Sequence, residues 1–408
     1  MLKRAIQTNV EKALARSRVV LLNGARQVGK TTLAFELGKD KKYTYLTFDD
    51  ELTFLAAKGD IIGFVTNIQK PVIIDEVQRV PEIFLAIKRD VDVNTAPGRY
   101  LLTGSANPLL LPRLGDSLAG RMEVIDLMPL SQGEIASTRE MFIDTVFNNQ
   151  PLKNPAHALS KAALYQKILV GGYPSVQSLD EEGRDAWLRN YINLLLQRDI
   201  KDLAQIEKLT EMPNLLKILA SRASSLLNVA EVARECKIEV KTVHRYIALL
   251  ETIFLIYIQR PWSTNIAQRF IKSPKVYMVD SGLLAYLLDT NLDKALSNST
   301  HMGRIVENFV VGELRKQATW SKKHVELYHS RMMTGEEVDV ILEDRSGNVV
   351  GIEIKSNEGV GPEDLKGLRF LRDKIGKRFV MGIVFYAGSQ YMPFENNLYA
   401  LPINALWD

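Results

Sequence analysis

Residues 24–31 combine glycines, a lysine and a threonine at the spacing that binds nucleotide phosphates. The segment Gly-Ala-Arg-Gln-Val-Gly-Lys-Thr satisfies the pattern G-x-x-x-x-G-K-[ST]. Such glycines let backbone N–H groups converge on phosphate oxygens. The lysine then reaches the β- and γ-phosphates, and the hydroxyl that follows it binds Mg²⁺. We therefore predict a loop for ATP and Mg²⁺ that consists of Gly24, Ala25, Arg26, Gln27, Val28, Gly29, Lys30, Thr31 and Thr32.

This loop lies between a short apolar run and a helical pattern. Val19–Leu22 is typical of a buried strand, and Thr31–Leu37 is typical of the first turns of a helix. A strand, a loop and a helix in this order distinguish a nucleotide-binding loop from a chance match. The simpler alternative is a glycine-containing turn before an ordinary helix.

A pair of carboxylates at the end of a second apolar run would complete a hydrolytic site. The segment Pro71-Val-Ile-Ile-Asp-Glu76 places Asp75 and Glu76 at a predicted strand tip. Asp75 can hold Mg²⁺, directly or through water. Glu76 can orient and deprotonate the attacking water. An acidic turn after a buried strand is the non-catalytic alternative.

Hydroxyl side chains end a third apolar run, Tyr100-Leu-Leu-Thr-Gly-Ser105. The carboxyl ends of parallel strands line a common ligand crevice. We therefore expect Thr103 or Ser105 to contact the γ-phosphate or the attacking water. A plain strand-end turn is equally compatible with the pattern.

Two arginines are candidates for stabilising charge in the transition state. An arginine that contacts the γ-phosphate can come from a neighbouring subunit. Arg121 is favoured over Arg113 because it directly precedes a predicted strand. A surface salt bridge would suit either arginine equally well. Asp49 and Asp50, after another apolar run, point to the same crevice without an assigned role.

Two helical patterns joined by a short link occupy the middle of the chain. The predicted helices are Leu227–Cys236, with Asn228 as its N-cap, and Lys241–Leu250. Phe254–Arg260 suits the first strand of a wing, so the segment predicts a winged helix-turn-helix. If it binds DNA, the second helix meets the groove, and the contact residues are Lys241, Thr242, His244 and Arg245. Winged helices that contact proteins or act as lids are the alternative.

A set of charged residues lies on predicted strands near the C-terminus. Glu353 and Lys355 are two residues apart in a strand and so share a face. Asp339 can join them from the paired strand, and two carboxylates on rigid strands suit Mg²⁺. A lysine beside them can stabilise developing charge during metal-assisted phosphodiester cleavage. A cross-strand salt bridge on a solvent face is the alternative.

The composition is that of an ordinary soluble globular protein. The 408 residues predict roughly two to four domains. Hydrophobic residues make up 46% and charged residues 25% of the chain. The only cysteine, Cys236, excludes an intrachain disulfide. No signal peptide or membrane span is predicted, so we expect a cytoplasmic protein. The net charge of +4 permits nucleic-acid binding without requiring it.

The order of element types predicts four domains. Short apolar runs alternate with helical patterns to about residue 135, which predicts a parallel sheet covered by helices. Helical periodicity then dominates to about residue 300, and strands return from about residue 303. We expect domains at 1–135, 136–215, 216–300 and 301–408, with the polar segment Asp293–His301 as the best boundary. The first-domain strand candidates are Val19–Leu22, Tyr43–Phe48, Val72–Ile74, Tyr100–Leu102 and Val124–Leu127.

The nucleotide-binding segments resemble those of AAA+ ATPases. The resemblance is closest to a prokaryotic family with an ATPase core, a helical region with a helix-turn-helix, and a C-terminal domain of unknown function. It covers most of the chain and implies ATP hydrolysis and a homo-oligomer such as a hexameric ring. The strings that carry it are GARQVGKTTL, VIIDEVQRVPEIF, LLTGSANPLLL, LAGRM, DLMPLSQGEI, GGYPSV and YINLLLQRDI.

The C-terminal pattern resembles the PD-(D/E)XK restriction-nuclease superfamily. That resemblance implies catalytic roles for Asp339, Glu353 and Lys355, an auxiliary carboxylate at Glu307, and Mg²⁺ on Asp339 and Glu353. The proline expected before the first aspartate is absent, since Val338 precedes Asp339. The expected fold is α/β: a parallel-sheet P-loop (AAA+) core, a helical and winged-helix middle region, and a C-terminal α/β restriction-nuclease-like domain.

Three functional hypotheses follow from these patterns. The leading one is an ATP-driven, oligomeric DNA-processing protein that binds, and in one version cleaves, branched or free-ended DNA. The second is a nucleotide-dependent regulatory or defence switch that recruits a protein partner and carries an inactive nuclease-like domain. The third is a DNA-binding transcription regulator in which that domain is a scaffold.

Overall fold

The computed structural model describes residues 2–39, 42–105, 118–200, 209–331 and 336–408. The chain divides into two compact units, residues 1–130 with 248–255, and residues 131–247 with 256–408. The predicted boundary at 135/136 lies near the first division. The predicted boundaries at 215/216 and 300/301 fall inside the second unit. In the described ranges, no helix combines the length and apolar character needed to cross a bilayer.

A five-stranded parallel sheet forms the first unit, which confirms the predicted parallel-sheet core. The strand order is β2-β3-β4-β1-β5. The strands are β1 (Val19–Asn23), β2 (Thr44–Thr47), β3 (Val72–Asp75), β4 (Tyr100–Gly104) and β5 (Met122–Asp126). The helices of this unit are Gln7–Arg16, Lys30–Lys39, Glu51–Gly59, Ile61–Asn67 and Ile83–Val93.

Both faces of this sheet are buried, which explains why its central strands are continuous apolar runs. In β1, Val19 and Leu21 belong to a core with Phe84 and Ile87 of the helix Ile83–Val93. The alternate residues of β1 and β3 face the other way and are also buried. Parallel pairing aligns the carboxyl ends of β3, β4 and β1 at one edge. The sequence segments with candidate chemistry follow those three strand ends.

The second unit begins with helices and a small sheet. Its three-stranded antiparallel sheet has the order β6-β8-β7. The strands are β6 (Ser225–Leu226), β7 (Ile256–Gln259) and β8 (Lys275–Met278). The helices are Gln132–Ala136, Phe142–Phe147, Lys161–Val170, Glu181–Leu194, Met212–Ser221, Val229–Cys236, Val240–Thr252, Gln268–Ile271, Ser281–Leu287 and Leu292–Ser297.

A six-stranded mixed sheet forms the C-terminal part of the same unit. The strand order is β13-β14-β12-β11-β10-β9, with β11, β12 and β14 mutually parallel. The helices Ser299–Trp320 and Lys366–Ile375 accompany it. The strands are β9 (Val325–Arg331), β10 (Glu337–Asp344), β11 (Val349–Lys355), β12 (Phe379–Tyr386), β13 (Met392–Glu395) and β14 (Leu398–Pro402).

The polar segment Asp293–His301, predicted as a domain boundary, is largely helical. It contains most of the helix Leu292–Ser297 and the start of Ser299–Trp320. The side chain of Asn291 accepts a hydrogen bond from the N–H of Lys294, and Asn298 accepts one from His301. These asparagines are N-caps, so polar residues that suggested a linker instead begin two helices.

Candidate functional site

The nucleotide-binding loop begins where β1 ends, at the carboxyl edge of the parallel sheet. Gly24 has φ +150°, and a Cβ at this position would lie 2.1 Å from the carbonyl oxygen of Leu127. Gly29 has φ +95°. The positive φ angles therefore favour glycine at both positions. At Gly24, the carbonyl of Leu127 also leaves no room for a side chain. The helix Lys30–Lys39 starts directly after the loop, so its N-terminus faces the place where phosphates bind.

Two cationic side chains hold the loop in shape. The ammonium of Lys30 donates to the carbonyl oxygens of Gly24 at 2.9 Å and Ala25 at 2.7 Å. The guanidinium of Arg4 donates to the carbonyl oxygens of Val28 and Met128, each at 2.7 Å. Arg4 was not predicted, because no local pattern links it to a loop more than twenty positions away in the sequence.

The other predicted loop residues differ in exposure. Val28 and Ala25 are buried, Arg26 is half-buried, and Gln27 and Thr32 are exposed. Gln27 also adopts a left-handed conformation with φ +65°. The buried members anchor the loop, and the exposed members leave its outer face open to solvent.

Thr31 and Asp75 meet at the point where a magnesium ion was predicted. The hydroxyl of Thr31 lies 3.1 and 3.0 Å from the two carboxylate oxygens of Asp75. Asp75 is buried and also accepts hydrogen bonds from the hydroxyls of Thr103 and Tyr45. Burial, and after it the charge of Asp75, raises the pKa of Tyr45 to about 12. A hydroxyl and a carboxylate at this separation fit the oxygen ligands of Mg²⁺.

Glu76 is held at the strand end by three neighbours. Its backbone is left-handed, with φ 59° and ψ 44°, and its N–H donates to the hydroxyl of Thr103 at 3.1 Å. Its carboxylate accepts a hydrogen bond from the side-chain amide of Gln78 and lies 3.5 Å from the hydroxyl of Ser105. The carboxylate therefore has a defined position beside the Thr31–Asp75 pair.

Gln78 is a site residue that the sequence analysis missed. Its amide nitrogen donates to Glu76 and, at 2.8 Å, to the hydroxyl of Ser105. Its amide oxygen accepts from the N–H of Ser105 at 3.2 Å. Gln78 thereby connects the ends of β3 and β4. The sequence did place Gln78 two residues after Glu76, the predicted base, where the chain leaves the apolar strand β3. That position could have marked it as a site residue.

Arg121 lies far from the loop of its own chain. Its carbonyl oxygen accepts from the N–H of Val19 at the amino end of β1, whereas the loop follows the carboxyl end. Its guanidinium pairs with Asp92, which is the salt-bridge alternative for this arginine. A contact with a γ-phosphate in its own chain does not occur, and a contact with a neighbouring subunit stays a prediction. Arg113 lies outside the described residues.

Asp49 and Asp50, for which the sequence predicted no role, both have a structural role. Asp50 caps the helix Glu51–Gly59 by accepting from the N–H of Thr53 at 2.8 Å. Asp49 forms an ion pair with Arg79 at 2.8 Å. Both side chains are exposed at the carboxyl end of β2, so they shape the rim of the crevice.

The predicted pair of helices is present, with Lys237 between them in a left-handed conformation. Asn228 caps the first helix by accepting from the N–H of Glu231 at 3.3 Å, as predicted from its residue type. On the second helix, Val240–Thr252, the side chains of Lys241, His244 and Arg245 are exposed and Thr242 is half-buried. The predicted DNA-binding residues therefore share an accessible face.

The C-terminal candidates converge, but around a residue that was not predicted. Glu307 and Asp339 face each other across Lys275 of β8, whose ammonium lies 2.9 Å from Glu307 and 3.4 Å from Asp339. Asp339 also accepts from the N–H of Ile354 at 3.0 Å. Lys355 lies 3.5 Å from the carboxylate of Glu353. The spacing of these residues predicted their proximity, whereas nothing local indicated Lys275.

Burial and mutual repulsion shift the titration of these carboxyl groups. Burial, followed by the charge of Asp339, raises the pKa of Glu307 to about 8 and that of Glu353 well above its usual range. Burial alone would lower the pKa of Lys275, but the surrounding carboxylates outweigh it and raise that pKa. The lysine is therefore a permanent cation inside an acidic cluster.

The cluster as folded does not fit a magnesium ion. Carboxylate oxygens of Glu307, Glu337 and Asp339 surround the Lys275 nitrogen at 2.9, 3.0 and 3.4 Å. The ammonium therefore occupies the position among these oxygens that a metal ion would need. Across the described ranges, no group of three or more His, Cys, Asp or Glu side chains has the arrangement of a metal site. The predicted Mg²⁺ on Asp339 and Glu353 does not match this arrangement.

Comparison with known proteins identifies the first unit. Residues 16–136 match a family model described as AAA domain. Residues 161–294 and 302–406 match two models described as domains of unknown function, DUF8612 and DUF4143. Together with the loop geometry and the parallel sheet, the first match supports an AAA-type P-loop domain in this region of the chain. Neither of the other matches supports a nuclease-like domain.

Relatives extend over nearly the whole chain. The uncharacterized protein Rv2008c of Mycobacterium tuberculosis is 29% identical over 406 residues, which cover 99% of this chain and 84% of the relative. The uncharacterized protein MJ1544 of Methanocaldococcus jannaschii is 23% identical over 381 residues, which cover 89% and 80% of the two chains. The three regions thus occur together in bacterial and archaeal proteins.

Solved structures give only distant similarity. The Walker-type ATPase paby2304 of Pyrococcus abyssi aligns with a TM-score of 0.39 and 15% identity, over 71% of this chain and 96% of that one. The RuvB Holliday junction branch migration motor of Thermotoga maritima gives a TM-score of 0.29 and 18% identity, over 65% and 94%. Scores this low carry no argument about function.

Proposed function

We propose that this protein binds ATP with Mg²⁺ and hydrolyses it, and that its second unit binds DNA. The observation that carries the first part is the contact of Thr31 with Asp75, next to the glycine loop. A hydroxyl from the first turn of the helix Lys30–Lys39 and a carboxylate from the end of β3 meet there at the distances of shared metal ligands. No structural need of the sheet explains why both should be polar.

Each residue of the nucleotide site has a role in this proposal. Backbone N–H groups of the loop from Gly24 to Gly29 bind the phosphates, and Lys30 leaves the loop carbonyls to meet the β- and γ-phosphates. Thr31 and Asp75 hold Mg²⁺, which neutralises charge on the phosphate oxygens when bound. Glu76 accepts a proton from the attacking water.

Ser105 and Gln78 complete the proposed catalytic arrangement. Ser105 lies beside the carboxylate of Glu76, so its hydroxyl can contact the attacking water. Gln78 positions both groups through its amide. In a homo-oligomer such as a hexameric ring, Arg121 of a neighbouring subunit would contact the γ-phosphate.

The test of ATP hydrolysis is Glu76→Gln. We expect this variant to bind ATP normally in magnesium buffer and to lose turnover by about 10²–10⁴-fold, the usual contribution of a general base. Binding is measured by calorimetry and turnover by phosphate release. Wild-type protein without affinity for adenine nucleotides would refute the proposal, and retained turnover in the variant would remove Glu76 as the base.

The exposed face of the helix Val240–Thr252 supports the DNA part of the proposal. Lys241 and Arg245 can contact backbone phosphates, and Thr242 and His244 lie between them in sequence. A purified sample is incubated with single-stranded, duplex and four-way DNA, while binding, ATP turnover and cleavage are followed together. DNA-stimulated ATP turnover favours this proposal over a switch that recruits only protein.

One observation favours the alternative hypothesis, in which the protein is a nucleotide-dependent switch that recruits a protein partner and has an inactive nuclease-like domain. The ammonium of Lys275 lies among the carboxylates that a nuclease would use for metal. This supports a region that binds a partner without cutting DNA. Mg²⁺-dependent nicking that disappears in Lys355→Ala would instead support catalytic roles for Asp339, Glu353, Lys355 and Glu307.

A further inference from the structure

Lys275 lies in a position that lysine almost never occupies without a strong partner. Its side chain is 3% exposed, and an isolated buried ammonium is very unfavourable. Glu307, Glu337 and Asp339 each contribute an oxygen within 3.4 Å of its nitrogen. The ammonium donates hydrogen bonds to Glu307 and Asp339, and the carboxylate of Glu337 adds an ion pair at 3.0 Å.

The lysine and its carboxylates come from three separate elements. Lys275 begins β8 of the small sheet, Glu307 lies on the helix Ser299–Trp320, and Glu337 and Asp339 lie on β10 of the mixed sheet. Sequence proximity therefore explains none of the three pairings, since the nearest partner, Glu307, lies 32 positions away. Removing one partner of such a buried group is strongly destabilising, so the contact joins the small sheet to the C-terminal region.

The strand that carries Lys275 is fixed by contacts of the residues that follow it. Tyr277, two residues along on the same face, donates its hydroxyl to Glu307 at 2.7 Å. The backbone of Met278 forms two hydrogen bonds with the side chain of Asn308, at 2.8 and 3.1 Å. These contacts hold the strand in place, and the strand in turn positions the ammonium of Lys275 among the carboxylates.

We propose that Lys275 is a built-in cation that keeps the carboxylates of Glu307, Glu337 and Asp339 from binding a divalent metal. The cluster takes up a metal only after the ammonium has left it. A metal cation placed among these carboxylates would be repelled by the ammonium that already lies between them. In the conformation described here, the C-terminal region is therefore locked against metal-dependent chemistry. This inference does not depend on ATP hydrolysis or on DNA binding.

The test measures Mn²⁺ binding to the full chain without nucleotide. Lys275→Met keeps an unbranched side chain only one atom shorter and removes the charge, and Lys275→Arg keeps the charge as a matched control. We expect Lys275→Met to bind one more Mn²⁺ per chain, with an affinity about tenfold or more above that of any Asp339-dependent site in the wild type. The gain disappears in the double variant Lys275→Met/Asp339→Asn, and Lys275→Arg behaves as the wild type.

Two results would overturn the proposal. One is a folded Lys275→Met protein, verified by circular dichroism, that gains no Mn²⁺. The other is wild-type Mn²⁺ binding that is lost in Asp339→Asn. If Lys275→Met does not fold, the comparison of the wild type with Asp339→Asn decides alone, because unchanged binding supports the lock and reduced binding rejects it.

Discussion

The hydroxyl of Thr31 lies within 3.1 Å of both carboxylate oxygens of Asp75, although 44 positions separate the two residues. The first begins the helix after the phosphate loop, and the second ends the strand β3. Strand β4 lies between β3 and β1 in the sheet, and its Thr103 also contacts Asp75. The sheet order thus brings hydroxyls from the helix after the loop and from the two strands beside β3 to one carboxylate.

Thr31→Ala should weaken the binding of Mg²⁺ with ATP by about tenfold or more, since even indirect partners of a bound metal contribute roughly 10–100-fold. Calorimetry with MgATP gives the affinity. Thr31→Ser retains the hydroxyl and is the matched control, which should bind nearly as well as the wild type. Equal losses in both variants would show that the methyl group and not the oxygen matters.

Gln78→Ala should lower kcat by about tenfold and leave KM nearly unchanged, because Gln78 positions Glu76 and Ser105 without reaching the phosphates. This is a fraction of the roughly 10²–10⁴-fold contribution of a general base. Gln78→Glu places a like charge beside Glu76 and should reduce kcat further. A change confined to KM would contradict a positioning role.

Gly24→Ala should abolish nucleotide binding, since its Cβ would lie 2.1 Å from the carbonyl oxygen of Leu127. The backbone must move, at a cost of roughly 1–3 kcal/mol for an overpacked site. Gly59→Ala is the control, because nothing lies within 4 Å of its added Cβ. Thermal melts and ATP titrations of both variants make the comparison, and normal ATP affinity in Gly24→Ala would reject the geometry of the loop.

Lys241→Ala should weaken DNA binding for all sequences and reduce the salt dependence of the binding constant by about one unit of slope. The reason is the loss of one phosphate contact with its released counterion. Lys217→Ala removes the same charge from an exposed position on another helix and should leave the slope unchanged. Fluorescence anisotropy at several salt concentrations measures both.

The stability of the second unit should fall as pH rises from about 4.5 to about 8. Burial, and after it the charge of Glu313, raises the pKa of Glu140 from 4.5 to about 8. Between these values the folded state keeps a proton that the unfolded state has released, so higher pH favours unfolding. Glu140→Gln, which cannot ionise, should make the fall shallower in thermal melts across this range. An unchanged pH profile would contradict the shift.

Most of the nucleotide site could be predicted because its residues follow apolar strands directly. Gly24, Lys30, Thr31, Asp75 and Glu76 are identified by residue type and spacing alone. Their convergence needs only the rule that parallel strands end at one edge. The N-cap role of Asn228 was predictable for a similar reason, since a cap is set by its immediate neighbours.

Other residues were not predictable, because their partners are set by the three-dimensional arrangement. Arg4 supports the loop from the irregular segment that precedes the helix Gln7–Arg16, and Tyr45 reaches Asp75 from a neighbouring strand. Lys275 begins a short strand, where a lysine normally extends into solvent. For Arg121, the sequence did not show that it lies beside the amino end of β1, away from the loop of its own chain.

The left-handed backbone at Glu76 has a consequence for how this protein can be improved. A residue with a branched or long side chain in this conformation costs roughly 1–2 kcal/mol relative to glycine. A library sorted only for heat resistance would therefore drift at position 76 toward Gly or Asn. In the proposed mechanism, the variants recovered from such a library would be more stable but inactive. A selection for thermal stability must therefore also measure ATP hydrolysis.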